Sequence, residues 1–331
     1  MTPGETTIRR IARDAIAAAG LLLAPGEFAA VHAEVARRGT DAWRRLCRDD
    51  DGHRDAPAAL GLDVSALTRV LGFGHVQAGA LAEALHARDG ARVGEAGALL
   101  NLGVGLFDWI ADRHPQRSAD VQEAISPASL DRLAGGAGLP RHGEPGVDLL
   151  FAVVEAFFAH ARAMAARPAA ADELLARLHA MLEAQLAATA ATRDETEASA
   201  ALWGDLEAKS VLPMQAMALL PVLGEAGPVR ASAQELGRAV GGVLWRVDDL
   251  VDAGEDWDSG AWSRPWLLHT GRCRGGLAPT ASREEALACL VADGVASSEA
   301  AELARRMREI RGMSATLDAC VHATVQSWIG G

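Results

Sequence analysis

Through almost the whole chain, apolar residues return every third or fourth position and rarely alternate, a pattern satisfied by a series of α-helices that each bury one stripe. Asp148 to Ala166 and Ala170 to Ala190 are clear cases, and Ala, Leu, Glu and Arg dominate such runs. Gly or Pro among polar residues interrupts the pattern at Asp49 to Pro57, Gly135 to Gly146, Gly224 to Pro228, Gly254 to Gly276 and near Gly294. None of these breaks is long enough to separate domains, composition does not shift across them, and no fixed period repeats. The expectation is an all-α chain folded as one helical domain over residues 1–331. Half of the residues are hydrophobic, so a large core is available without staples.

The remaining bulk features narrow the function. Cys47, Cys273, Cys289 and Cys320 lie far apart and form no CxxC pair, which speaks against a disulfide framework or a zinc knuckle and fits a reducing cytoplasm. The first apolar stretch, Ile16 to Leu23, is too short and Ala-rich for an export signal, and no window reads as a membrane span. A net charge of −12 disfavours binding to a nucleic-acid backbone, but a small anion held by local cations remains compatible with it.

Clustered carboxylates carry the chemical signal. Asp108 and Asp112 stand four residues apart and share one face of a helix, where like charges repel by a few tenths of a kcal/mol unless a partner such as a hard divalent cation offsets them. Asp248, Asp249 and Asp252 repeat the spacing after the apolar run from Gly241 and open into Gly254-Glu-Asp-Trp-Asp; acids at a helix C-terminus also oppose its dipole. Read structurally, either cluster is a solvated helix fringe. Between them Lys209 is the single lysine, the other 31 of 32 basic residues being arginine; it either marks a place where a compact ammonium is wanted or survives by chance.

Two acid-rich helical motifs with a Lys-Ser pair between them resemble the trans-isoprenyl diphosphate synthases and their terpene-synthase relatives over roughly residues 95 to 270. Asp108 and Asp112 match the outer acids of the first motif, with Trp109 in place of an acid. Arg117 matches the first arginine after it, and Ser118 replaces the second. Lys209-Ser210 matches a Lys-Thr pair, Ala184-Gln185 resembles the preceding Gly-Gln, and Asp248, Asp249 and Asp252 match the second motif. The resemblance implies an isoprenoid synthase-type bundle around a central cavity, acting as a homodimer. It implies that Asp108, Asp112, Asp248 and Asp252, with Asp249 beside them, hold three Mg²⁺ ions against the diphosphate of a prenyl substrate. Lys209, Arg117 and Arg246 would bind that diphosphate, and Gly103, Val104, Phe107, Gln185 and Trp245 would line the cavity.

Departures from the family pattern bear on the reaction. An early Gly-Lys-x-x-Arg is missing, the N-terminal arginine clusters lack its pattern, and Asn101 stands where a histidine often serves a second diphosphate, although Arg37, Arg38, Arg44 or Arg45 could rebuild such a site. The expected activity is therefore a class I terpene synthase that ionises one allylic prenyl diphosphate of C15 to C25. C20 is favoured because Gly103, Val104 and Gly105 leave space before Asp108, unless those glycines serve close helix packing. The alternatives are a prenyltransferase that elongates with isopentenyl diphosphate, a catalytically silent partner of another isoprenoid enzyme, and a head-to-head condensing enzyme. The segment from Gly254 to Gly276, with Trp257, Trp262, Trp266, Arg264, Arg272 and Arg274, reads as a loop that serves as a lid or is packed by its tryptophans.

Overall fold

The computed structural model describes residues 1–48, 52–87, 89–114, 116–117, 121–122, 125–165, 168–193, 197–225, 227–272 and 281–330; the side chains of Asp112, Pro168, Ala169 and Ala170 lie outside that description, as do Cys273, Arg274 and Ser118. The periodic segments are helices: α1 (Pro3–Ala18), α2 (Pro25–Leu46), α3 (Gly52–Ala59), α4 (Val64–Ala84), α5 (Gly90–Arg113), α6 (Pro127–Ala134), α7 (Pro145–Met164), α8 (Pro168–Ala190), α9 (Ala200–Leu219), α10 (Gly227–Val251), α11 (Ala253–Ser259), α12 (Arg264–Arg272), α13 (Arg283–Ala292), α14 (Val295–Ile310) and α15 (Ala315–Gly330), with a 3₁₀ turn at Leu220–Val222. Among the described residues the only β pairing is the isolated bridge between Thr192 and Ala261, and no single helix is long and apolar enough to cross a membrane.

Local chemistry sets several boundaries. Thr2 and Ser282 each accept from the backbone N–H three residues on, while Glu5 and Glu285 return the bond, giving capping boxes at α1 and α13. Ser126 and Pro127 start α6 in the same spirit, a hydroxyl cap followed by a residue that lacks the N–H a first turn leaves unpaired. Gly260, at φ +74°, ends α11 in the left-handed region that a side chain disfavours.

The helices assemble into two compact units, Met1–Pro25 with Ala180–Met214 and Gly237–Gly331, and Gly26–His179 with Gln215–Leu236. In the second, α4 and α5 share the broadest contact, and α7 packs on α3 and α5. Small residues permit this. A Cβ on Gly97 would stand 2.2 Å from the Ala78 Cβ, one on Gly74 2.5 Å from the Asn101 Cβ, and one on Gly72 2.0 Å from the Val35 carbonyl oxygen, so α4 meets both α5 and α2 backbone to backbone. In the first unit α1 lies on α13, α14 and α15, and α14 also packs on α12. There Gly241 lets α10 approach α9, since a Cβ would be 2.9 Å from the Val211 Cα.

The segment from Gly254 to Gly276 departs from its reading as a loop. Through residue 272 it is α11 and α12 joined by a short turn at 260–263, held by two indoles, one buried and one half-buried: the Trp266 Nε1–H donates to the Ala253 carbonyl at 2.9 Å and the Trp257 Nε1–H to the Ala281 carbonyl at 3.0 Å. The break also closes differently at Pro57, which lies inside α3. Gly, Pro and Trp look like loop composition locally, and the satisfaction of those N–H groups by distant carbonyls decides otherwise.

Candidate functional site

Trp245, Asp248 and Asp249 lie on the last turns of α10, Asp252 caps the start of α11, and α11 extends the four-residue ladder to Asp256. The Asp252 N–H donates to the Asp248 carbonyl and the Asp256 N–H to the Asp252 carbonyl, both at 2.9 Å, so the helical path continues through the acidic run. Asp248 and Asp252 are exposed, whereas Asp249 and Asp256 are half-buried. The Asp249 carboxylate accepts the Arg264 backbone N–H at 2.7 Å.

Crowding in low-dielectric surroundings governs this segment's electrostatics. Burial, then the neighbouring charges of Asp256 and Asp248, push the Asp249 carboxyl well above the usual carboxylate range, against the pull of the Arg264 N–H and Lys209. Burial and Asp252 push Asp256 up to about 7, with Ser263, Lys209 and Arg193 acting in the opposite direction. Asp252, although it reaches solvent, is raised as well, by the partial desolvation its packed neighbours impose and by Glu255, against Arg9 and Arg283. Lys209 on α9 therefore acts on two of these acids, across the close helix approach that Gly241 permits.

Arg193 and Asp256 escaped the sequence reading. The Arg193 guanidinium lies 3.9 Å from the centre of the Trp257 ring and donates to the Asp256 carbonyl at 3.3 Å and to the Trp257 carbonyl. Asp256 was legible as a third rung of the 248, 252 spacing; Arg193 carries no local signal.

Other expected residues of this unit are placed as follows. Trp245 is buried and meets Trp203 edge to face at 5.8 Å. Gln185 is buried at 8 % exposure. Arg246, on the opposite side of α10 from Asp248, runs to α14, where its guanidinium stands 3.9 Å from Glu302. Arg264 pairs with buried Glu299, and its guanidinium lies 4.4 Å from the Trp203 ring centre.

The first acidic motif belongs to the other unit. Asn101, Val104, Gly105 and Asp108 form the more accessible face of α5, and Leu102, Leu106, Phe107 and Ile110 are buried. Trp109, which stands in place of an acid, anchors the helix end: its Nε1–H donates to the Leu60 carbonyl at 2.9 Å, which His114 Nε2 also approaches at 3.2 Å. Arg117 ion-pairs with Glu144 at 3.0 Å and donates to the Ala59 carbonyl at 3.4 Å. The Asn101 amide donates to the Val70 carbonyl at 2.8 Å. A Cβ on Gly103 would meet Val153 and Val154 at 3.7 Å, ordinary contact distance, so this glycine is not required for close packing.

Among the described residues no three His, Cys, Asp or Glu side chains form a closed metal cage. The acids of α10 and α11 nevertheless fit a hard divalent cation. Their mutual repulsion and raised proton affinity are what a positive ion relieves, and Mg²⁺, which keeps several waters and takes substrate oxygens, needs only one or two protein carboxylates.

This all-α architecture is the isoprenoid synthase fold. Among solved structures, the chain is similar to geranylgeranyl pyrophosphate synthase from Lactobacillus brevis (TM-score 0.59, 13% identity, 89% of this chain and 96% of that one). It is also similar to geranylgeranyl pyrophosphate synthase from Corynebacterium glutamicum complexed with calcium and isoprenyl diphosphate (0.55, 16%, 93% and 98%) and to heptaprenyl diphosphate synthase from Staphylococcus aureus (0.55, 12%, 91% and 98%). At these identities the likeness is one of fold. No protein-family model and no curated protein sequence matches the chain.

Proposed function

We propose that this protein is a divalent-metal-dependent enzyme acting on allylic prenyl diphosphates, and that it elongates them with isopentenyl diphosphate. The observation that carries the reading is the crowded acid run Asp248, Asp249, Asp252 and Asp256 with Lys209 acting on it, an arrangement suited to a metal-bound diphosphate. The named structures that share the fold over about nine-tenths of the chain are elongating synthases, one of them with calcium and isoprenyl diphosphate bound, which reverses the order of the two activities weighed from the sequence. A terpene synthase is the second reading, favoured by Asn101, whose amide is committed to the Val70 carbonyl at the position of a second-substrate histidine.

Asp248 and Asp252 in one unit, and Asp108 and Asp112 in the other, would each hold Mg²⁺, which when bound supplies Lewis-acid stabilisation of the departing diphosphate. Lys209 donates hydrogen bonds to the oxygens on which charge develops and so favours the transition state over the ground state. The C1–O bond breaks with its electron pair on the leaving oxygen. The isopentenyl double bond then supplies the pair for the new C–C bond to C1, and loss of a proton completes the longer diphosphate.

Purified protein with Mg²⁺ and C10, C15, C20 or C25 diphosphates, with and without isopentenyl diphosphate, is to be assayed by mass spectrometry. A longer diphosphate formed only with both substrates is expected. A hydrocarbon or alcohol from one substrate alone selects the second reading, and diphosphate release that survives chelation of Mg²⁺ overturns both.

A further inference from the structure

Arg246 was expected at the acidic run, yet it joins a cluster of arginines on the other side of α10. A groove of about 500 Å³ opens between α12 and α14, within the size range of small-ligand sites. Arg264 and Glu299 lie in its wall as a buried, two-bonded ion pair. Beside them Glu302 accepts from Arg305 at 2.6 Å and Arg306 at 3.0 Å, and Arg246 stands 3.9 Å away, so one carboxylate faces three guanidiniums. The hydrogen bonds from Arg305 and Arg306 hold Glu302 down at about 2. Arg305 also reaches Glu309, whereas Arg308, on the same wall, meets no carboxylate among the described residues and donates to the Ala304 carbonyl at 3.4 Å.

The local balance is five arginines (246, 264, 305, 306 and 308) against three glutamates (299, 302 and 309), in a chain of net charge −12. A solvated ladder along α14 accounts for the Glu302, Arg305 and Glu309 spacing, but it does not account for Arg246. That guanidinium is 5 % exposed, spends one N–H on the Gly242 carbonyl at 2.8 Å, and leaves its Nε without a partner. Burial first, and then the like charges of Arg264 and Arg306, bring its pKa down to about 10, against the pull of Glu299 and Glu302.

We propose that the groove between α12 and α14 binds a small molecule carrying a phosphate or diphosphate group. Arg308 presents a forked donor matched to phosphate oxygens, Arg305, engaged by Glu302 and Glu309, adds positive charge beside it, Ser298 adds a hydroxyl, and Leu268 and Ala301 offer an apolar wall for an organic portion. Arg264 links this wall to the acidic run, because its side chain holds Glu299 and its backbone N–H is bonded to Asp249. The consequence of that link for catalysis rests on the proposed function; the binding itself does not.

The test is calorimetric titration of the full chain in EDTA with inorganic phosphate and with pyrophosphate, conditions that remove metal-dependent binding at the acids. Binding is expected to weaken about ten-fold or more in Arg305→Ala/Arg308→Ala, consistent with losing charge-assisted bonds, and to weaken similarly in Ala301→Trp, which fills the groove without altering charge. It is expected to be unchanged in Lys209→Ala. Circular dichroism checks that each variant folds. Absence of binding to the parent chain, or loss in Lys209→Ala with retention in the arginine double variant, overturns the proposal. So does co-sedimentation with phosphatidic acid vesicles that depends on Arg305 and Arg308 while neither soluble anion binds, since the phosphate source is then a lipid surface.

Discussion

The two acidic segments share a spacing and differ in how their neighbours treat it. On α10 and α11, aspartates four residues apart are pressed together and partly desolvated, with Lys209 opposing the accumulated charge. On α5, the half-buried Asp108 belongs to a helix end pinned by hydrogen bonds from Trp109, His114 and Arg117 to the carbonyls of Leu60 and Ala59. One segment is defined by electrostatic stress and the other by mechanical anchoring. An acid pair in a sequence thus says little about the energy of its carboxylates until the surroundings are known.

The contrast predicts unequal responses. The largest is expected for Lys209→Ala, which should lower kcat by roughly 10²- to 10³-fold, as for removal of one positioned donor to a developing oxyanion. Steady-state diphosphate release measures it, and a change smaller than that caused by Arg117→Ala would break the assignment, because Arg117 is already paired with Glu144.

Next comes packing. Gly97→Ala forces a Cβ to 2.2 Å from the Ala78 Cβ and should destabilise by about 2 kcal/mol. Gly103→Ala meets its neighbours at ordinary distances and should stabilise by about 0.5–1 kcal/mol through helix propensity. Urea unfolding monitored by circular dichroism distinguishes them, and equal effects would mean that α4 and α5 do not cross where described.

Trp109→Phe keeps the ring and removes the N–H donated to Leu60. A loss of about 1 kcal/mol is expected by the same measurement. Replacement at no cost would show that the anchor is dispensable.

The last effect is pH-dependent, and only its direction is predicted. The unfolded chain releases the Asp256 proton near 3.8, whereas the folded protein holds it to about 7. The folded state therefore binds more protons between these values, and its metal-free stability should fall as pH rises from about 4 to about 7. Asp256→Asn should flatten that slope, and Mg²⁺ at pH 7 should raise the melting temperature by binding the folded state. A slope of opposite sign in the metal-free protein would remove the crowding argument.

The all-helical class was readable without any structure, because a period near 3.6 is a local property that burial of one helix face enforces all along the chain. The spacing of Asp108, Asp248 and Asp252 was readable for the same reason, and Asp256 could have been added by continuing it. Tertiary structure decided what depends on a partner distant in sequence. Gly74 and Gly97, not Gly103, lie at the helix crossing, because the facing helix determines where a Cβ collides. Residues 254–259 and 264–272 are helical because far carbonyls satisfy the indoles of Trp257 and Trp266. Arg246 turns toward α14 because Glu302 waits there, on a helix more than fifty residues along the chain. Periodicity is written in neighbours along the sequence, whereas the energy of a charge or of a close contact is set by neighbours in space.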